Sequence, residues 1–124
     1  MRVLITGGTG FIGYHLIREI LDKEWQIRCL VRKSSIIPEE FIGKVEFITG
    51  DITDKTSLKG IVDNIDIVIH MAGLIKASNF KSFKKVNTEG TINLINAIPP
   101  ETQSAIKFIF ISSMAACGPS RNRE

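Results

Sequence analysis

Gly7, Gly8, Gly10 and Gly13 stand within seven residues of one another. They come directly after the apolar run Val3-Leu4-Ile5 and directly before Ile12, Leu16, Ile17, Ile20 and Leu21, which recur at helical spacing. A glycine turn between a strand and a helix can hold an anion. The first N–H groups of the helix have no partner within it and point outward, and the helix dipole favours negative charge there. The glycines read in two registers, GxGxxG from Gly8 to Gly13 or GxxGxxG on Gly7, Gly10 and Gly13. Both imply the same mechanics: one glycine makes the tight turn, the middle one admits a pyrophosphate close to the backbone, and the last lets helix and strand pack closely. The same pattern also occurs as a turn that binds nothing, but the flanking strand and helix are the context a nucleotide site requires. Gly7, Gly10, Phe11, Ile12 and Gly13 are its candidate contacts.

Further along, the ends of apolar runs carry the other reactive side chains. Val31-Arg32-Lys33-Ser34-Ser35 closes one run where an adenosine ribose is commonly read by an acid. An arginine there suits a 2′-phosphate through charge-assisted, bidentate bonds, so NADP is favoured over NAD; the alternative is an Arg32 that stacks on adenine or faces solvent. Asp51 can accept from an adenine amino group, and Ala72-Gly73 leaves room for a ribose. His70 reads as a hydrogen-bonded scaffold residue rather than a metal ligand or acid–base group. Asn87 lies mid-helix, where its amide fixes local backbone or water near the cofactor, or is exposed. Ser112 and Ser113 end the last apolar run, where a hydroxyl can hold a substrate oxygen while hydride moves, or simply cap the strand.

These positions require alternating strands and helices. Strands are expected at Arg2 to Thr6, Gln26 to Val31, Val45 to Thr49, Asp66 to His70 and Lys107 to Ile111, and helices at Phe11 to Lys23, Ser57 to Ile65 and about Ser82 to Ala97. Residues 33–44 are expected as a loop, with one helical turn or none. Runs such as Ile67-Val68-Ile69 imply strands covered on both faces. The fold class is α/β, a doubly wound parallel sheet of about five strands.

The strings now on view resemble the extended short-chain dehydrogenase/reductases, the NAD(P)-dependent epimerase/dehydratase branch that includes dihydroflavonol 4-reductase. Thr6-Gly7-Gly8-Thr9-Gly10-Phe11-Ile12-Gly13 is similar to that branch's TGGTGFIG, and Gly50-Asp51-Ile52-Thr53-Asp54 to its GD[IL]xD segment. His70-Met71-Ala72-Gly73 resembles HxAG, Val86 to Leu94 the NVxGTxNLL helix, and Ile111 to Gly118 the SSxxxYG segment, with Cys117 where the tyrosine usually stands. The resemblance implies a Rossmann fold, adenine contacts at Asp51 and Ile52, a cofactor path past Ala72 and Gly73, and Ser113 as the catalytic serine. It also implies a YxxxK acid–base pair tens of residues beyond that serine. The only tyrosine here is Tyr14, so the expectation is a C-terminally incomplete cofactor half that is inactive alone, with a small-molecule substrate only in the full-length enzyme. A homodimer through paired helices belongs to the same resemblance. The alternatives are a non-catalytic NADP-binding sensor, or an unliganded scaffold whose open sheet edge self-associates.

Composition agrees with one domain over residues 1–116 and a flexible tail over 117–124. Of 124 residues, 44% are apolar and 23% charged, ordinary for a globular chain, and the apolar runs are far shorter than the ~20 residues of a membrane span. The strand at Met1 leaves no room for a signal peptide, so a cytoplasmic location is expected. Cys29 and Cys117 have neither disulfide density nor metal spacing and read as free thiols, and no metal site is expected. The net charge of +3 is scattered, and the loose cluster Lys76, Lys81, Lys84 and Lys85 reads as a solvated helix face rather than a nucleic-acid surface.

Overall fold

Successive side chains of a strand point to opposite faces, yet Val3, Leu4 and Ile5 are all fully buried, so both faces of the first strand are covered. The computed structural model describes residues 1–118. Strands β1 (Arg2–Thr6), β2 (Gln26–Val31), β3 (Glu46–Thr49), β4 (Ile67–His70) and β5 (Lys107–Phe110) form one sheet in the order β3-β2-β1-β4-β5. Every neighbouring pair is parallel. Thr6 stands level with Leu30 of β2 and His70 of β4, so three carboxyl ends meet at one edge. The strand order reverses between β1 and β4, and the crevice above such a reversal is where open α/β sheets bind ligands.

Two apolar layers follow from the alternation. Val3, Ile5, Ile27, Cys29, Val31, Ile67 and Ile69 face helix α1 (Phe11–Leu21), which adds Ile17 and Ile20, while Phe41 and Val45 close the same side. Leu4, Leu30 and Val68 point the other way, against Ile52, Leu58, Ile61, Val62, Leu94 and Ile98. Each fully buried aliphatic side chain contributes about 1.5–3 kcal/mol relative to exposure. The second layer is capped by a continuous helix that begins as α2 (Phe80–Phe83), passes through a π-helical stretch at Lys84–Gly90 and ends as α3 (Thr91–Asn96).

The expected sheet is present, with several element ends moved by a residue. The third helix starts at Phe80 rather than Ser82 because Asn79 caps it, its side-chain oxygen accepting from Ser82 N at 2.8 Å. Residues 33–44 contain a single 3-10 turn, Glu39–Phe41. The expected helix at Ser57 to Ile65 is absent. A short 3-10 turn, Lys55–Leu58, is capped by Asp54, and then Gly60 at φ +72° and Asn64 at φ +58° take the left-handed region, which an α-helix does not admit. The carbonyls freed in that bend are met from the sheet: Arg28 Nη1 donates to Ile61 O at 2.9 Å and to Asp63 O at 3.1 Å, while its Nε pairs with Glu46 at 2.9 Å. Of the expected flexible tail, Cys117 belongs to a 3-10 turn, Met114–Cys117, and residues 119–124 lie outside the described residues.

Candidate functional site

The glycines divide the labour at the carboxyl end of β1. Gly7 takes φ +78°, and a Cβ there would sit 2.8 Å from Ala72 N, so this residue both turns the chain and touches the exit of β4. Gly13 lies so close to the turn that a Cβ would fall 2.3 Å from Gly7 O and 2.5 Å from Gly8 Cα. Gly8 is equally confined, 2.5 Å from Cys29 Sγ and 2.9 Å from Ile17 Cδ1 by the same measure, a packing role that glycine spacing alone does not reveal. Gly10 is different. It is exposed, its N–H donates to Gly7 O at 3.1 Å, and a Cβ on it would meet only Gly7 O at 3.3 Å. Helix α1 begins there with no capping side chain and no acid in its first turn, and Phe11 and Ile12 are exposed. An uncapped, uncharged helix start at the switch point, open at Gly10, fits the pyrophosphate of a dinucleotide.

Around this turn the other candidates share the same sheet edge. Arg32 follows β2 directly; its N–H donates to Ser35 Oγ at 3.1 Å, and its guanidinium makes no hydrogen bond or ion pair among the described residues. Asp51 follows β3, where Oδ1 accepts from Thr53 N and Thr53 Oγ1, each at 2.8 Å, and its N–H donates to Ser57 Oγ at 2.9 Å. Ile52 is turned inward, buried against Gly90, where a Cβ would come within 2.8 Å of its Cδ1. Its carbonyl is taken by Asn93 Nδ2 at 2.9 Å, so Ile52 anchors the helix beneath the edge.

Ala72 and Gly73 leave β4 beside the glycine turn. Ala72 N donates to Thr6 Oγ1 at 3.2 Å, and Met71 N to Thr6 O at 3.0 Å. Asn87 fixes local backbone, one of the two roles its position suggested: Oδ1 accepts from Leu74 N at 2.7 Å and Nδ2 donates to Leu74 O at 3.0 Å. Ser113 is exposed three residues beyond β5, and its carbonyl accepts from Ala116 N at 2.9 Å. His70 is the scaffold residue expected of it, fully buried with Nδ1 2.6 Å from Thr6 Oγ1 and Nε2 2.9 Å from Thr91 Oγ1. Burial pushes its pKa down to about 4, and burial pushes the Cys29 thiol up to about 11, so the ring is neutral and the thiol protonated at pH 7. Thr6 and Thr91, the partners of His70, are polar residues that the strings around them do not single out.

Tyr14 stands apart from these groups. Its phenol donates to Glu40 and its ring lies 5.3 Å from that of Phe41, tying α1 to the 3-10 turn after β2. The Glu40 carboxylate beside it holds its pKa above 10.0. Among the described residues no group of three or more His, Cys, Asp or Glu side chains is placed to hold a metal, and no helix is long and apolar enough to cross a membrane.

Known proteins share this sequence pattern and fold. Residues 3–124 match the NAD dependent epimerase/dehydratase family. The chain is 37% identical over 118 residues to the ceramide reductase of Caulobacter vibrioides, covering 95% of this chain and 36% of that protein. It is 36% identical over 128 residues to 3 beta-hydroxysteroid dehydrogenase type 7 of Mus musculus, covering 94% of this chain and 34% of that protein. The structure of UDP-glucose 4-epimerase from Bifidobacterium longum in complex with NAD+ and UDP superposes with a TM-score of 0.80 at 31% identity, over 99% of this chain and 40% of that one. The chain thus spans about a third of the length of the curated relatives it matches. With the family's sequence across residues 3–124 and its sheet at the same time, this chain belongs to the NAD-dependent epimerase/dehydratase family.

Proposed function

We propose that this chain is the cofactor-binding part of an NADP-preferring oxidoreductase, epimerase or dehydratase that works on a hydroxyl or carbonyl carbon. The observation that carries the reading is the start of α1: a left-handed Gly7, an open Gly10 and an uncapped helix N-terminus above the β1/β4 reversal. Gly7, Gly10, Phe11, Ile12 and Gly13 take the pyrophosphate. Arg32 takes the ribose 2′-phosphate, its guanidinium, unpaired among the described residues, supporting NADP over NAD. Asp51 takes the adenine amino group, with Ile52 and Asn87 holding the backbone around it and around Leu74. Ala72 and Gly73 border the nicotinamide ribose, and Ser113 donates to the substrate oxygen at the reacting carbon. The bound nicotinamide supplies or accepts the hydride.

Tyr14, engaged with Glu40 beside α1, is not the proton donor in this reading, and that role falls to a residue beyond those described here. A buried free thiol at Cys29 fits a reducing, cytoplasmic setting, and the exposed Ile92 (49%) and Ile95 (40%) on α3 supply apolar contact for a homodimer. Equilibrium titration of the intact protein with NADP+ and NAD+, read by calorimetry, tests the proposal. Saturable binding with NADP+ the tighter ligand is expected; a folded protein that binds neither overturns it.

A further inference from the structure

Thr6, His70 and Thr91 form a buried polar line through β1, β4 and α3, and the geometry fixes which atom donates at each step. Thr91 Oγ1 carries one proton and lies 2.8 Å from Asn87 O, a carbonyl that can only accept. The hydroxyl proton is therefore spent there. At its 2.9 Å contact with His70 Nε2 the same oxygen must accept, so Nε2 carries the ring proton. Nδ1 is then a lone pair, Thr6 Oγ1 donates to it at 2.6 Å, and the remaining capacity of Thr6 Oγ1 accepts from Ala72 N at 3.2 Å. Every hydrogen is used once and all point the same way: Ala72 N to Thr6, Thr6 to His70, His70 to Thr91, Thr91 to Asn87. A chain aligned in this manner strengthens each of its members.

The two ends of the line belong to the nucleotide site. Ala72 N is the atom that a Cβ on Gly7 would approach to 2.8 Å, and Asn87 is the residue that grips Leu74 at both its N–H and carbonyl. Around the ring lie Phe110, its centroid at 5.6 Å and 28° from parallel, and Phe108 at 6.2 Å, while both ring nitrogens meet threonine hydroxyls. The π-helical stretch Lys84–Gly90 leads directly into Thr91, and local π turns are frequent at functional sites.

We propose that His70, held as the neutral Nε2–H tautomer, is a positioning residue that sets the glycine turn and the Ala72–Leu74 exit against the helix and thereby tunes dinucleotide affinity. The proposal rests on the cofactor reading for its ligand, but not for its hydrogen-bond directions. Long-range proton–nitrogen NMR on the intact, 15N-labelled protein at neutral pH reads the tautomer without any ligand: Nε2–H is expected, and Nδ1–H overturns the line. Thr91→Val removes the acceptor for Nε2–H, whereas Thr91→Ser keeps it. Thr91→Val is expected to speed hydrogen exchange at the Ala72 and Leu74 amides and to weaken NADP+ about tenfold, as for a stranded buried donor, while Thr91→Ser stays near the parent on both. Equal exchange in the two variants overturns the positioning role; failure of the parent to bind NADP+ with the exchange difference intact would count against the cofactor reading and leave the relay standing.

Discussion

Asn87 clasps Leu74 with both ends of one amide, Oδ1 accepting from Leu74 N at 2.7 Å and Nδ2 donating to Leu74 O at 3.0 Å. The two residues are thirteen positions apart, one in the π-helical stretch and one in the segment leaving β4, so a single side chain ties that segment to the helix. Asn87→Ala strands a donor and an acceptor that are partly buried, and a loss of about 1–3 kcal/mol is expected in urea unfolding. Asn87→Asp retains the acceptor for Leu74 N and loses the donor for Leu74 O. A carboxylate oxygen then faces the Leu74 carbonyl, so this variant should also be less stable than the parent, and parent-like stability would show that the Nδ2 bond contributes nothing.

Gly10 and Gly13 separate binding from folding. At Gly13 an added methyl meets backbone at 2.3 Å, and neither Gly7 O nor Gly8 Cα can move without displacing α1. Gly13→Ala is therefore expected to destabilise the fold at or beyond the upper end of the ~1–3 kcal/mol usual for overpacking. Gly10 faces outward with a single 3.3 Å neighbour, so Gly10→Val should keep an α/β circular-dichroism spectrum while abolishing dinucleotide binding. A Gly10→Val protein that still bound NADP+ would remove the pyrophosphate from this turn.

Arg32 stands at the carboxyl end of β2 with its guanidinium free of protein partners among the described residues. Reversing its charge in Arg32→Asp should weaken NADP+ far more than NAD+, because a carboxylate repels a 2′-phosphate and accepts from ribose hydroxyls. Parallel titrations with the two cofactors decide the matter: an equal loss for both would mean Arg32 does not read the 2′ position.

The strands, their parallel pairing and the glycine turn were legible because each is written in local sequence, a short β-branched run or a strand–glycine–helix junction. What the sequence hid was long-range. Nothing near Ser57 to Ile65 signals that Arg28, about 33 positions earlier, supplies donors to Ile61 O and Asp63 O, and that supply lets the segment bend at Gly60 and Asn64 rather than coil. The residues themselves were the available hint, since glycine and asparagine are the types that tolerate positive φ. Thr6 and Thr91 were hidden for the same reason: each looks like one polar residue among many until β4 sets His70 between them. Arg28→Met tests the first point, because it preserves the stem and leaves both carbonyls without their donor. A cost of about 1–3 kcal/mol is expected in urea unfolding, and an unchanged midpoint would show that water serves those carbonyls as well.

His70 also gives the fold a pH dependence of definite sign. Its pKa falls from 6.5 to about 4 on folding, because the buried ring, among aromatic rings and hydroxyls, has no charge to compensate an imidazolium. Between those values the unfolded chain binds a proton that the folded chain does not. Stability contributed by the neutral ring is therefore complete above about pH 6.5 and is lost progressively as pH falls toward 4, with a slope of at most about 1.4 kcal/mol per pH unit for one proton. Burial is the cause, and a proton on Nδ1 would in addition meet the Thr6 hydroxyl that now donates to it. Asp54 also favours higher pH, but its pKa is lowered from 3.8 by its bonds to Thr56, so its loss comes below the His70 window. Urea unfolding from pH 7 to pH 4 should thus show a decline that His70→Asn, less stable at pH 7, flattens. A decline of the same slope in that variant would assign it to other groups.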